Sequence, residues 1–309
     1  MTVGGLAVVT GAFSYSGRFI ARELLARGVR VRTLTGHPER HDPFEGRVEV
    51  APLDFADPRQ LAASLQGAQT LYNTYWVRFP RGAITFESAV RNTEVLLEAA
   101  RQASVRRVVH LSVTHADPAS PLPYYRGKGL VEEVVSSSPL SYAIVRPTLV
   151  YGVGDILINN VAWMLRRFPM FALFGDGRYL VQPIYAGDLA QLAADLGGGT
   201  EDDVVDAAGP DMYTWDALVA TIARAVSSRA RLLHLPPTAA LLLSRLIGCL
   251  VRDVVLTRDE MAGLMGNLLV SQQPALGQTS FPAWLEHHAA RLGLQYASEL
   301  ERHFRSAGS

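Results

Sequence analysis

Strand-like apolar runs alternate with helix-like periodic segments from Leu6 to about Gly209, and this alternation narrows the possible folds more than any other feature of the chain. Short β-rich runs stand at residues 6–10, 29–34, 48–53, 70–74, 107–112 and 141–146. Helical patterns fill the gaps at 17–28, 59–65, 86–103 and 124–137. In the first, Phe19, Ile20, Leu24 and Leu25 share a face and Gly28 follows as a C-cap. In the third, Ala89, Val90, Thr93, Leu96, Leu97 and Ala100 turn inward. Asp57-Pro58 starts the second. Strands separated by helices imply right-handed crossovers, so the expected fold class is α/β with a doubly wound parallel sheet. Past Pro147 the pattern loosens: a helix at 156–167, a turn at 175–177, a strand at 204–207, a helix at 215–227 behind Thr214, and mostly helix from Arg231 onward. The expected division is a core over residues 1–155 and a mixed region over 156–309. Residues from about 180 to 210 would complete the core. The rest would form a smaller, mostly helical substrate- or partner-binding part.

The first turn reads Thr10-Gly11-Ala12-Phe13-Ser14-Tyr15-Ser16-Gly17. Gly11 allows a tight turn and Gly17 lets the helix approach the strand. The free N–H groups at the helix start, aided by the helix dipole, can hold a pyrophosphate, which makes a nicotinamide dinucleotide the expected cofactor, with Phe13, Ser14, Tyr15, Ser16 and Gly17 as contacts. Ser14 stands where a middle glycine is usual, and its hydroxyl is expected to bond a phosphate oxygen. The second strand ends at Thr35, Gly36 and His37 without the acidic residue that binds a ribose diol. Arg18, His37 and Arg40 place cations there instead, so NADP(H) is expected ahead of NAD(H). The alternative for Arg18 and Arg40 is an ordinary solvated surface charge.

Tyr124-x-x-x-Lys128 puts a phenol and an ammonium on one helical face. The ammonium favours the phenolate, which suits Tyr124 to acid/base work. Ser112, at the end of the fifth strand, and Thr114 beyond it are hydroxyl partners for a substrate carbonyl or alcohol. Such a pair is common by chance. Its place after the fifth strand, where ligands sit in sheets of this kind, gives it weight. His110 is read as a core residue with its hydrogen bonds satisfied.

These residues resemble the short-chain dehydrogenase/reductase superfamily in its extended and atypical branches. The turn looks like that family's Thr-Gly-x-x-Gly-x-x-Gly motif, with Ser14 departing from it. Leu53-Asp54-Phe55, Asn92, Leu111-Ser112, Tyr124-x-x-x-Lys128, the segment from Arg146-Pro147 to Tyr151-Gly152, and residues 182–190 match further family segments. The resemblance implies a Rossmann sheet and a bound nicotinamide cofactor. It implies cofactor contacts at Asp54, Phe55, Asn73, Thr74, Lys128 and Pro147, and often a homodimer. Its nearest flavour is the epimerase/dehydratase-like proteins related to the nucleotide-binding accessory subunit of respiratory complex I. Tyr75, Trp76 and Phe79 replace the small residues usual after the fourth strand. They would roof the nicotinamide pocket, stack on an aromatic substrate, or pack beneath the C-terminal helices.

With Lys plus Arg at 29 and Asp plus Glu at 29, no global charge calls for nucleic acid. The single cysteine, Cys249, allows no internal disulfide and fits a reducing compartment. Residues 1–9 lack a signal-peptide pattern, so a cytoplasmic location is expected. His287, His288 and His303 lack ligand spacing, and no metal is expected. Residues 238–256 are apolar but interrupted by Arg245, Arg252 and Asp253, which is too charged for a spanning helix. An amphipathic helix on the core or on a dimer face is expected there, with peripheral membrane contact as the alternative. Two functions stay open. One is an oxidoreductase or epimerase/dehydratase acting on a small carbonyl or alcohol through Tyr124 and Lys128. The other is a non-catalytic NADP(H)-binding sensor or assembly protein.

Overall fold

Leu6–Thr10 forms β1 and is buried along its whole length, as a parallel strand covered on both faces must be. The structure, a computed structural model, describes residues 4–304, with side chains as far as Arg302. The chain continues through α1 (Tyr15–Ala26), β2 (Arg30–Thr35), β3 (Val48–Pro52), α2 (Pro58–Leu65), β4 (Ala68–Asn73), α3 (Phe86–Gln102), β5 (Arg107–Leu111), α4 (Pro123–Ser136) and β6 (Ser141–Pro147). Next come β7 (Leu149–Tyr151), α5 (Leu157–Arg167), β8 (Met170–Phe174), β9 (Leu180–Val181), β10 (Pro183–Tyr185), α6 (Ala186–Gly197) and β11 (Asp203–Ala207). Last are β12 (Tyr213–Thr214), α7 (Trp215–Ala225), β13 (Arg231–Leu235), α8 (Pro237–Val251), α9 (Arg258–Met265), α10 (Phe281–His288) and α11 (Glu299–Phe304). These elements group into two compact units. One takes the chain up to Pro147 together with Ala186–Ala207, and the other takes Thr148–Tyr185 and everything from Ala208 on.

The first unit is a 7-stranded sheet in the order β11-β6-β5-β4-β1-β2-β3, with every pair parallel. This is the doubly wound Rossmann arrangement. Helix α1 packs with α6, while α2, α3 and α4 pack in a row. Leu61, Leu96 and Val131 from that row meet Val8, Leu71 and Val108 of the sheet in one apolar cluster. Local signals fix the helix starts. Asp57 accepts from Gln60 N ahead of Pro58, and Thr85 and Ser88 cap α3 reciprocally. The strand order reverses direction between β1 and β4, so their carboxyl ends open a crevice at the switch point.

The second unit holds three 2-stranded sheets, β10 with β7, β12 with β9 and β13 with β8. The reading of residues from Arg231 onward as mostly helical missed β13. It is five residues long and largely exposed, with no alternation strong enough to read. Aromatic rings dominate this unit's core: Phe281 and Trp284 meet Tyr151 edge-on at 4.8 and 5.3 Å. His288 stacks on Trp284 at 4.4 Å, so it is not a freely solvated residue. The side chain of His303 lies outside the described residues.

Candidate active site at the carboxyl edge of the sheet

The β1–α1 turn is closed by its own backbone. Gly11 has φ +71, which a side chain would strain, and its N–H donates to Leu34 O at 2.8 Å. Ala12 N donates to Thr33 Oγ1 at 2.9 Å. At Gly17 a Cβ would sit 2.2 Å from the Gly11 carbonyl oxygen, so helix and turn touch there backbone to backbone. Ser14 is the N-cap of α1, yet its side chain makes no bond to the first-turn amides. Its hydroxyl donates instead to Gly11 O at 2.6 Å. Ser14 thus ties the turn through its proton, beside the amides at the helix start. No acidic residue occupies the first turn of α1.

Around this cradle the other expected residues take up particular partners. The Phe13 ring lies 6.3 Å from Phe44, and Tyr15 meets Phe19 edge-on at 5.6 Å. Ser16 is half-buried in the first turn. The Arg18 guanidinium lies over the Phe19 ring at 5.6 Å. Thr35 Oγ1 accepts from His37 N at 3.0 Å, and Arg40 N donates to His37 O at 3.2 Å. His37 Nδ1 is 3.4 Å from Glu39 Oε1. An acid therefore stands beside His37 in a loop expected to be cationic. Asp54 is exposed and accepts from Ala56 N at 2.8 Å. The Phe55 ring meets Tyr75 at 4.9 Å, and the Tyr75 hydroxyl accepts from Asn92 Nδ2 at 2.8 Å.

Thr10 ties the strand ends together, a role the sequence reading did not assign. Its hydroxyl accepts from Thr74 N at 2.7 Å and Tyr75 N at 3.1 Å, while Thr74 Oγ1 donates back to Thr10 O. Asn73 is fully buried beside it. Asn73 Oδ1 accepts from Tyr75 N, and Nδ2 lies 3.1 Å from His110 Nδ1. With Asn73 donating, His110 carries its proton on Nε2. That buried nitrogen has no hydrogen-bond partner among the described residues, so the histidine is only half satisfied. Burial and the nearby Lys128 charge hold His110 far below its usual range, as a neutral ring.

Helix α4 carries the Tyr/Lys pair. Lys128 is 3% exposed, and Nζ donates to Leu111 O at 2.7 Å. Nζ also lies 4.6 Å from the centre of the Trp76 ring. Tyr124 stands edge-on to the same ring at 5.8 Å and to Phe86 at 6.0 Å, and Phe86 stacks on Trp76 at 5.6 Å. Trp76 therefore touches both members of the pair. Gly127 makes room for it, since a Cβ there would meet the indole at 2.9 Å. The Trp76 N–H is buried without a partner among the described residues. Burial brings Lys128 down to about 7, with Glu132 pulling the other way.

Ser112 is buried, and its hydroxyl donates to Glu132 Oε1. Glu132 is in turn held by Arg146, whose Nε lies 2.9 and 3.1 Å from its two oxygens. Neither Glu132 nor its ion pair was anticipated, although Glu132 sits four residues after Lys128, one turn further along the same helix. Thr114 is fully buried, and its N–H donates to Pro147 O at 3.1 Å.

An NAD(P)H-binding family matches residues 11–152. The alpha-subcomplex subunit 9 of mitochondrial NADH dehydrogenase [ubiquinone] from Arabidopsis thaliana is 26% identical over 75% of the chain. The chain spans 61% of that relative's length. A ceramide reductase from Caulobacter vibrioides is 27% identical, over 79% of the chain and 77% of that protein. Among solved structures, an NADPH-dependent quinone oxidoreductase from Escherichia coli, complexed with NADPH, aligns with a TM-score of 0.74 at 18% identity. It covers 93% of this chain and 99% of that one, a likeness of fold. These likenesses agree with the resemblance of the chain to the short-chain dehydrogenase/reductase superfamily. Residues 11–152 thus match an NAD(P)H-binding domain, and the residues present fit that group. The cradle has no space for a Cβ at Gly17 and a left-handed backbone at Gly11, and the α1 start lacks a competing carboxylate. No described helix is long and apolar enough to cross a membrane.

Proposed function

We propose that the chain is an NADP(H)-preferring oxidoreductase or epimerase/dehydratase for a small carbonyl or alcohol, with Tyr124 and Lys128 as its catalytic pair. The observation carrying this reading is Lys128, desolvated one helical turn from Tyr124, with both against Trp76. A bound nicotinamide supplies or takes the hydride. Gly11, Gly17 and the amides at the start of α1 would hold the diphosphate. Tyr124 would give or take the proton at its phenolic oxygen, and Lys128 would orient the ribose hydroxyls and favour the phenolate. Ser112, its own proton committed to Glu132, keeps lone pairs to accept a bond from a substrate hydroxyl. Thr114 would order the loop beyond it. The preference for NADP(H) rests on Arg18 and Arg40, because His37 has Glu39 beside it.

Tyr124→Phe is the deciding variant. Screened against carbonyl, quinone and nucleotide-sugar substrates, it should lose about a hundredfold or more in turnover while still binding NADPH. Unchanged turnover would reject the assignment.

A second reading draws on Trp76, which lies against the Lys128 ammonium, and on Ser112, whose proton is turned to Glu132. Both suit a protein that holds NADP(H) without turnover. Saturable cofactor binding with no turnover across the same panel would favour it.

A further inference from the structure

Helix α8 stands with its apolar side in the open. Of its residues only Ala240 and Gly248 are buried. Leu242 and Leu246 are each 61% exposed, Leu250 is 73% exposed and Leu243 37%. At helical spacing these side chains fall on one face, and of the two expected placements, on the core or on a dimer face, the core does not cover these leucines. The core contact runs instead along Leu241, which packs against the second unit's apolar cluster. Two grooves, of about 650 and 530 Å³, border the exposed face, and both are lined in part by Leu241, Arg245 and Arg258.

The exposed charge around this face is basic, with the half-buried Asp259 beside Arg258 on α9. Arg245, Arg252 and Arg258 are exposed. Asp253 is the one carboxylate among the lining residues, and it is turned inward. It accepts from Tyr296 Oη at 2.8 Å, Glu299 N at 2.8 Å and Leu300 N at 3.0 Å. On α9, Glu260 is taken up in the capping box with Thr257. An apolar helical face rimmed by arginines matches the boundary of a bilayer, where acyl chains meet anionic headgroups. A two-fold contact with a second copy would bring the leucines together but also gather the exposed arginines of both copies at one interface. Crossing the bilayer is excluded by length, because 15 residues reach only about 22 Å.

We infer that α8 is a membrane-docking helix. It lies in the plane of a leaflet rich in anionic lipid, with Leu242, Leu246 and Leu250 inserted and Arg245 and Arg258 on phosphates. This does not depend on the catalytic reading.

Flotation of the full chain with vesicles of phosphatidylcholine, with and without phosphatidylglycerol, tests it. Wild type should float with the anionic vesicles and do so less at high salt. Leu246→Glu with Leu250→Glu should weaken binding about tenfold or more. Arg245→Glu with Arg258→Glu should weaken it by about fivefold per arginine on anionic vesicles and leave the neutral ones unaffected. Cys249, exposed on the same face and the only cysteine, can carry an environment-sensitive fluorophore. Its emission should shift to the blue on anionic vesicles, a readout that needs no folding-sensitive substitution. Three results would overturn the inference: no flotation of wild type, equal flotation of the leucine variant, or a wild-type dimer in sedimentation that the leucine variant splits.

Discussion

At the scale of single residues, two atoms of separation decide what this site tolerates. A methyl group on Gly17 would lie 2.2 Å from Gly11 O and 2.8 Å from Gly11 C, both backbone atoms that cannot swing aside. Gly17→Ala should therefore cost about 2 kcal/mol of stability and abolish saturable NADPH binding, read by thermal melting and by titration of cofactor fluorescence. Lys128 gives a test through pH. Its folded value of about 7 lies below the usual lysine range, so the unfolded chain binds more protons between those limits, and stability rises with pH across them. The burial cost is present in full below about pH 7 and is relieved as pH climbs toward the ordinary lysine value. The difference in unfolding free energy between wild type and Lys128→Met should accordingly grow in wild type's favour from about pH 7 to 10. A flat difference would show the ammonium to be solvated. Both residues were legible in the sequence, Gly17 from its place in a strand–turn–helix and Lys128 from its spacing to Tyr124. Their partners were not. That Ser14 would bond Gly11 O, or that His37 would face Glu39, depends on side-chain directions that a one-dimensional pattern does not carry.

Among the elements, α4 does the most. It bears Tyr124 and Lys128 toward Trp76, and Glu132 one turn further along toward Ser112 and Arg146. Glutamine at 132 would keep one acceptor oxygen but lose the charge that pairs Arg146, and would set an NH2 donor against Arg146 or the Ser112 hydroxyl in a largely buried place. Glu132→Gln should cost about 2–3 kcal/mol in a denaturant melt. It should also alter the pH profile of turnover, because Glu132 opposes the burial that lowers Lys128. A loss of stability with an unchanged profile would make the ion pair purely structural. The long elements were readable in advance because their apolar faces repeat over several turns: α3 was expected at 86–103 and spans Phe86–Gln102. The short strands β8 and β13 were not, since five residues without clear alternation carry little periodic signal. The exposure of α8 was equally hidden. A run of leucines reads the same whether it faces a core or the outside, and only the neighbours that fail to cover it tell the two apart.

For the whole molecule, cofactor binding should act on one unit by mass action. At about a hundred times Kd, NADPH should stabilise the sheet-bearing unit by about 2.7 kcal/mol. Hydrogen exchange should slow at the β1–α1 turn and the ends of β4 and β5, with α8 amides unchanged. Protection spread evenly over both units would contradict a site confined to the sheet edge. The sheet's last strand has a consequence of its own. β11 pairs with β6 from Asp203↔Ala143 to Ala207↔Pro147, yet it arrives only after the chain has left for the second unit and returned. While the polypeptide is being synthesised, the outer rim of β6 must wait, its backbone amides and carbonyls unclaimed, until residue 207 has cleared the ribosome. A chain stalled or cut short of that point would present an open template for strand addition, which makes premature termination in this stretch a route to aggregation rather than to a smaller working protein.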